Sequence, residues 1–136
     1  MFQEVYGATE IINPEHTYIY GLLCPIQNKI RYVGKANNPA ERYRQHLRGG
    51  PGNKHKGKWL GELTDQGMQP KLVILEKVAN QKPLWESAEI RWFDRLVFEG
   101  HPLTNNHADI RNKRRVAEND RIMQEGLSLG REMFGA

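Results

Sequence analysis

The sequence predicts an α/β (α+β) domain: a small three-stranded antiparallel sheet flanked by helices, followed by a basic helical tail. Three observations predict it. Thr17–Leu23 and Ile30–Gly34 are short aromatic and β-branched segments on either side of a tight turn. Lys71–Lys77 is an apolar run bounded by turn residues, as a buried strand should be. Between and after these segments lie stretches with helical spacing and recognisable start and stop signals. The resulting order is hairpin, helix, helix, strand, helix, tail.

Each element has its own grounds. Residues 1–16 carry few pattern signals and read as an N-terminal arm. Pro25 and Asn28 supply the hairpin turn. Asn38 is a good N-cap, with Pro39 at the first helical position and Glu41 at the third, so a helix should run to about Leu47. Gly49-Gly50-Pro51-Gly52 stops it and reads as a mobile loop. Lys56–Thr64 predicts a short helix with Trp59, Leu60 and Leu63 on one side, which assigns Trp59 to the core rather than to stacking on a base. Lys82–Phe98 predicts the longest helix: Pro83 suits its first turn, Trp85, Ala88, Trp92 and Leu96 recur at helical spacing, and Gly100-His101-Pro102 ends it. The tail, residues 109–136, carries Arg111, Lys113, Arg114, Arg115 and Arg121 and can form one helix, with apolar positions too sparse for a second core. The expected divisions are an arm at 1–16, a domain at 17–108 and the basic tail at 109–136.

Composition narrows the function classes. A chain of 136 residues can bury one modest core without a staple. Its single cysteine, Cys24, excludes an intrachain disulfide and a thiolate zinc cluster and suits a reducing compartment. Neither a signal pattern nor a run of about 18 apolar residues is present, so a soluble, cytoplasmic protein without membrane contact is expected. Net charge is +4, and residues 29–58 hold nine Lys/Arg against one acid, Glu41. That asymmetry suits a polyanionic partner, although a solvated basic face reads equally well from charge alone.

The hairpin carries the first chemical signal. A three-residue loop, Pro25–Gln27, would set Tyr20 directly opposite Tyr32 on one face, bringing two phenols together. The plainer reading is that both rings simply cover the sheet. Arg42 lies eight residues past Gly34, on the following helix, with His46 one turn further on the same helical face. Glu89 falls within or beside the apolar stripe of the long helix, where a carboxylate needs a compensating partner. An arginine or a single divalent cation would serve, and Glu86 is the alternative acid one turn earlier. The chain has no other convergent acid cluster, which speaks against a two-metal site. His16, His101 and His107 have no zinc spacing.

Taken together, Tyr18-Ile19-Tyr20, Tyr32-Val33-Gly34, Arg42, Glu89 and Asn105 resemble, in order, the signature of the GIY-YIG nucleases over residues 17–106. Tyr18 departs from the family's usual glycine. The resemblance implies a metal-dependent DNA endonuclease with Tyr20, Tyr32, Arg42, His46, Glu89 and Asn105 in the site, and one Mg²⁺ or Mn²⁺ on Glu89. A free tyrosine titrates near 10, so Tyr20 can act as general base only where neighbours lower it. In this reading Tyr32 orients the water or the scissile phosphate, Arg42 stabilises the phosphorane, His46 shares the Tyr20 proton and Asn105 braces the cluster. Lys35, Arg44, Arg48, Lys54, His55, Lys56 and Lys58 would contact phosphates of double-stranded DNA. A non-catalytic DNA-binding module on the same scaffold, acting within a larger assembly, is the main rival; an RNA-associated basic protein ranks behind it. A homodimer, a targeting partner and successive single-strand cuts are all compatible with the sequence.

Overall fold

The computed structural model describes Gln3 and Glu4, residues 14–49 and residues 53–134. Gly50, Pro51 and Gly52, most of the expected mobile loop, lie outside the described residues, as does most of the arm. The elements are β1 (Gln3–Glu4), β2 (His16–Cys24), β3 (Lys29–Ala36), α1 (Pro39–Leu47), α2 (Lys54–Asp65), β4 (Lys71–Ala79), α3 (Lys82–Phe98) and α4 (His107–Phe134).

The three expected strands form an antiparallel sheet with β2 at its centre, between β4 and β3. The arm contributes more than its pattern suggests. Gln3 and Glu4 pair with Ile74 and Val73, which adds a two-residue fourth strand beyond β4. Asn38 caps α1 by accepting from the Glu41 amide, and Asn53 caps α2 by accepting from the Lys56 amide.

The hairpin register differs from the expected one. Tyr20 pairs with Gly34, and Tyr32 pairs with Leu22. Cys24 pairs with Lys29 across a four-residue turn in which Asn28 takes a left-handed φ of 55°. One extra turn residue alone would send the two tyrosines to opposite faces. A bulge between Leu22 and Leu23 shifts the register again, which leaves Arg31 unpaired in the ladder and restores the common face. The tyrosines are therefore diagonal neighbours, with ring centroids 6.3 Å apart.

Strand alternation divides the sheet into two faces. On one, Tyr20, Leu22, Cys24, Ala36 and Leu72 pack with Trp59 and Leu63 of α2, and Tyr32 and Tyr43 lie against them. On the other, Ile19 pairs with Lys35 and Glu76, and both of these reach α3. Glu76 accepts two bonds of 3.1 Å from Arg91 and one of 2.8 Å from Trp92 Nε1. This fork fixes the rotation of α3 against β4 and so aims Glu89, one turn before Trp92.

The chain separates into two compact units, residues 1–106 and 107–136. The second consists of α4 and its flank. Within it Arg121 pairs with Glu118 and Glu125 along one side of the helix. Among the described residues no helix is long and apolar enough to cross a membrane.

Candidate active site

The site begins with a glycine. Tyr20 reaches across its cross-strand partner Gly34, where a Cβ would stand 2.8 Å from the phenol oxygen. The absence of a side chain lets the ring lie flat on β3 with only 1% of the residue exposed.

The phenol meets α1. Tyr20 Oη and His46 Nε2 are 2.7 Å apart, and His46 is buried. Tyr43 Oη donates to the Pro70 carbonyl at 2.6 Å, tying α1 to the segment before β4 and holding His46 over the sheet. Tyr32 stands edge-on to the same imidazole, 5.2 Å between centroids. Arg42, one turn before His46, is exposed.

Electrostatics link these groups to Glu89. Burial pushes the Tyr20 phenol well above its ordinary range, and the Tyr32 and Glu89 charges push the same way while the Arg42 guanidinium opposes them. Burial, with Lys56 and Arg42 beside it, lowers His46 to about 4. The fields of Arg42 and Glu89 thus both reach the phenol, although Glu89 rides on α3 and His46 on α1, against opposite faces. Glu89 is only 7% exposed.

Three residues stand elsewhere than expected. Lys56, assigned to phosphate contact, is 2% exposed, with its ammonium 3.0 Å from His46 Nδ1 and 5.0 Å from the Tyr32 ring centroid. Its spacing holds the signal that charge counting misses: Lys56, Trp59, Leu60 and Leu63 share one stripe of α2, so the lysine points inward with them. Asn105 holds backbone rather than the tyrosines. Its Oδ1 accepts from Val33 N at 2.9 Å and its Nδ2 donates to Val33 O at 2.8 Å. Lys35 leans over Trp85 of α3, its ammonium 4.5 Å from the ring centroid and one helical turn from Glu89. Helical spacing marks Trp85 only as a core position and gives no sign of this contact.

Arg44, Arg48, Lys54, His55 and Lys58 are exposed on α1, α2 and the segment joining them. Arg44 is paired with Glu41 at 2.8 Å, a surface contact of small energetic weight.

Among the described residues no group of three or more His, Cys, Asp or Glu is placed to cage a metal ion. The candidate donor is a single buried carboxylate, Glu89. That fits a hard divalent cation completed by waters and substrate oxygens, since magnesium commonly takes only one or two protein carboxylates.

No curated protein and no solved structure matches the chain. The family profile of the GIY-YIG catalytic domain matches residues 16–98, from the first residue of β2 to the last of α3. Both tyrosines, Arg42, His46, Lys56 and Glu89 fall inside that span, and the chain belongs to the GIY-YIG family of nuclease domains.

Proposed function

We propose that the protein is a metal-dependent DNA endonuclease in which Tyr20 serves as general base. The observation that carries this reading is the buried hydrogen bond between Tyr20 and His46, set in the opposing fields of Arg42 and Glu89. Burial and the Tyr32 and Glu89 charges hold the phenol up, so the base role depends on the opposing Arg42 charge and on compensation of the Glu89 charge.

The residues divide the work. Tyr20, 1% exposed, takes a proton from the attacking water through a relay rather than by direct contact, and Tyr32 orients that water or the scissile phosphate. Arg42 lies on the exposed side and presents its planar fork of donors to the non-bridging oxygens as charge accumulates there. Glu89 would hold one Mg²⁺ or Mn²⁺, whose chemistry when bound would be positive charge for the leaving oxygen. The Glu89 carboxylate raises the phenol, so any compensation of its charge would lower the phenol again. Arg44, Arg48, Lys54, His55 and Lys58 position the DNA through its phosphates, which makes binding fall steeply with salt.

The test incubates the protein with supercoiled plasmid and Mg²⁺ or Mn²⁺, beside Glu89→Gln and Arg42→Ala. The parent nicks or linearises the plasmid. Both variants lose at least about a hundredfold in rate, and Glu89→Gln still binds DNA. Equal cleavage by all three overturns the residue assignment. DNA binding without cleavage by the parent, across metals and substrates, establishes instead a binding module on a nuclease scaffold.

A further inference from the structure

Lys56 is a costly residue where it stands. It occupies the third position of α2, where the helix dipole disfavours a cation, and it is 2% exposed. Burial and the neighbouring Arg42 both lower its affinity for a proton. A methionine of similar length would fill the same space beside Tyr32 without a desolvation penalty. A lysine kept against these local rules calls for a role that packing does not supply.

The chain of contacts indicates that role. Lys56 Nζ lies 3.0 Å from His46 Nδ1, and His46 Nε2 lies 2.7 Å from Tyr20 Oη. All three residues are at most 5% exposed, so water does not compete for these bonds. A lysine ammonium has three donors and no acceptor, so the ring nitrogen that faces it must be an acceptor. A neutral imidazole with an accepting Nδ1 carries its proton on Nε2. That N–H points at the phenol oxygen and donates to it.

We infer that Lys56 is a positioning residue that sets the His46 tautomer and thereby the direction of the His46–Tyr20 hydrogen bond. The inference rests on the reading of Tyr20 as general base. With Lys56 in place, Tyr20 Oη accepts from His46 Nε2–H and keeps its own proton off the imidazole. Tyr20 loses its own proton to bulk water in a prior equilibrium; the phenolate is then held by the buried His46 donor and becomes the phenol when it takes, through the relay, the proton of the attacking water. Without Lys56 nothing on this chain of contacts keeps the proton off Nδ1. The imidazole can turn its lone pair to Tyr20, accept the phenolic proton in a hydrogen bond and oppose ionisation. His46 therefore acts as a donor to the oxygen that works as the base.

Nitrogen-15 NMR of the imidazole tests this on the full chain, because protonated and unprotonated ring nitrogens have well-separated shifts. His46 is assigned by comparison with His46→Gln. The parent should show an unprotonated Nδ1 and a protonated Nε2. Lys56→Met should reverse the pattern or mix the two forms, and Lys56→Arg, which keeps donors and adds no acceptor, should restore it. In plasmid cleavage Lys56→Met should lower kcat about tenfold to a hundredfold with KM for DNA unchanged, and Lys56→Arg should recover most of the loss. A protonated Nδ1 in the parent, or the same tautomer in the parent and in a folded Lys56→Met, overturns the inference and leaves the endonuclease reading standing. Undiminished cleavage by Tyr20→Phe overturns the endonuclease reading's choice of base, and the positioning role of Lys56 falls with it.

Discussion

At the scale of single residues, Gly34 and Tyr20 behave as one part. The ring rests where a Cβ would be, and the Oη, Cζ and Cε1 atoms would all lie within 3.0 Å of that atom. The Tyr20 residue is 1% exposed and its hydroxyl is held at 2.7 Å from His46 Nε2, so the phenol has little room to give way. Gly34→Ala should therefore displace the hydroxyl from His46 and destabilise the domain by about 1–3 kcal/mol. A thermal melt beside a plasmid assay checks both effects; a variant with unchanged melting temperature and activity would show that the ring is freer than its packing implies. His46 gives a pH dependence of definite sign. Its folded-state pKa of about 4 lies below the ordinary 6.5, so the unfolded chain takes up the proton first as pH falls. The stability that depends on neutral His46 is complete above pH 6.5 and declines towards pH 4. Urea unfolding at about pH 7 and about pH 4.5 measures this, and His46→Gln should lose less stability over the interval than the parent.

At the scale of elements, the site is held from both faces of one sheet. The Glu76 fork orients α3, and the Tyr43 bond orients α1. The segment after α3 closes the rim of β3: His101 Nδ1 accepts from Ile30 N, Thr104 N and Oγ1 donate to Arg31 O, and Asn105 pairs with both backbone groups of Val33. Asn105→Ala leaves the Val33 amide and carbonyl without these partners and should cost about 1–3 kcal/mol. Hydrogen exchange would show the loss first at the Val33 amide, and a uniform loss across the sheet would contradict that local origin. Much of this level is legible in the sequence. Helix starts are marked by Asn38, Pro39 and Pro83, and α3 spans the residues its apolar spacing indicates. The hairpin register is not legible, because it depends on a bulge at Arg31 that no residue type signals. Nor is β1, since two residues cannot display a period.

At the scale of the whole molecule, one stretch of chain supplies both the charge and much of the chemistry. Residues 29–58 hold nine basic side chains, yet the structure separates them by burial. Lys54 and Lys58 are exposed, while Lys56 between them is buried against the imidazole. Charge counting gives all three lysines one role; helical spacing separates them. The sequence order of Tyr20, Tyr32, Arg42, His46 and Glu89 is enough to name these residues as candidates. The inward position of Lys56 is not legible in this way, because a lysine in a basic segment looks like a surface residue until the helix face is assigned.

The covered rim of β3 also limits how copies of the protein can combine. An open strand edge invites another chain to extend the ladder, in functional assembly or in aggregation. In this domain the outward groups of Ile30, Arg31 and Val33 already have partners from residues 101–105. A second copy therefore cannot extend the ladder at Ile30, Arg31 or Val33.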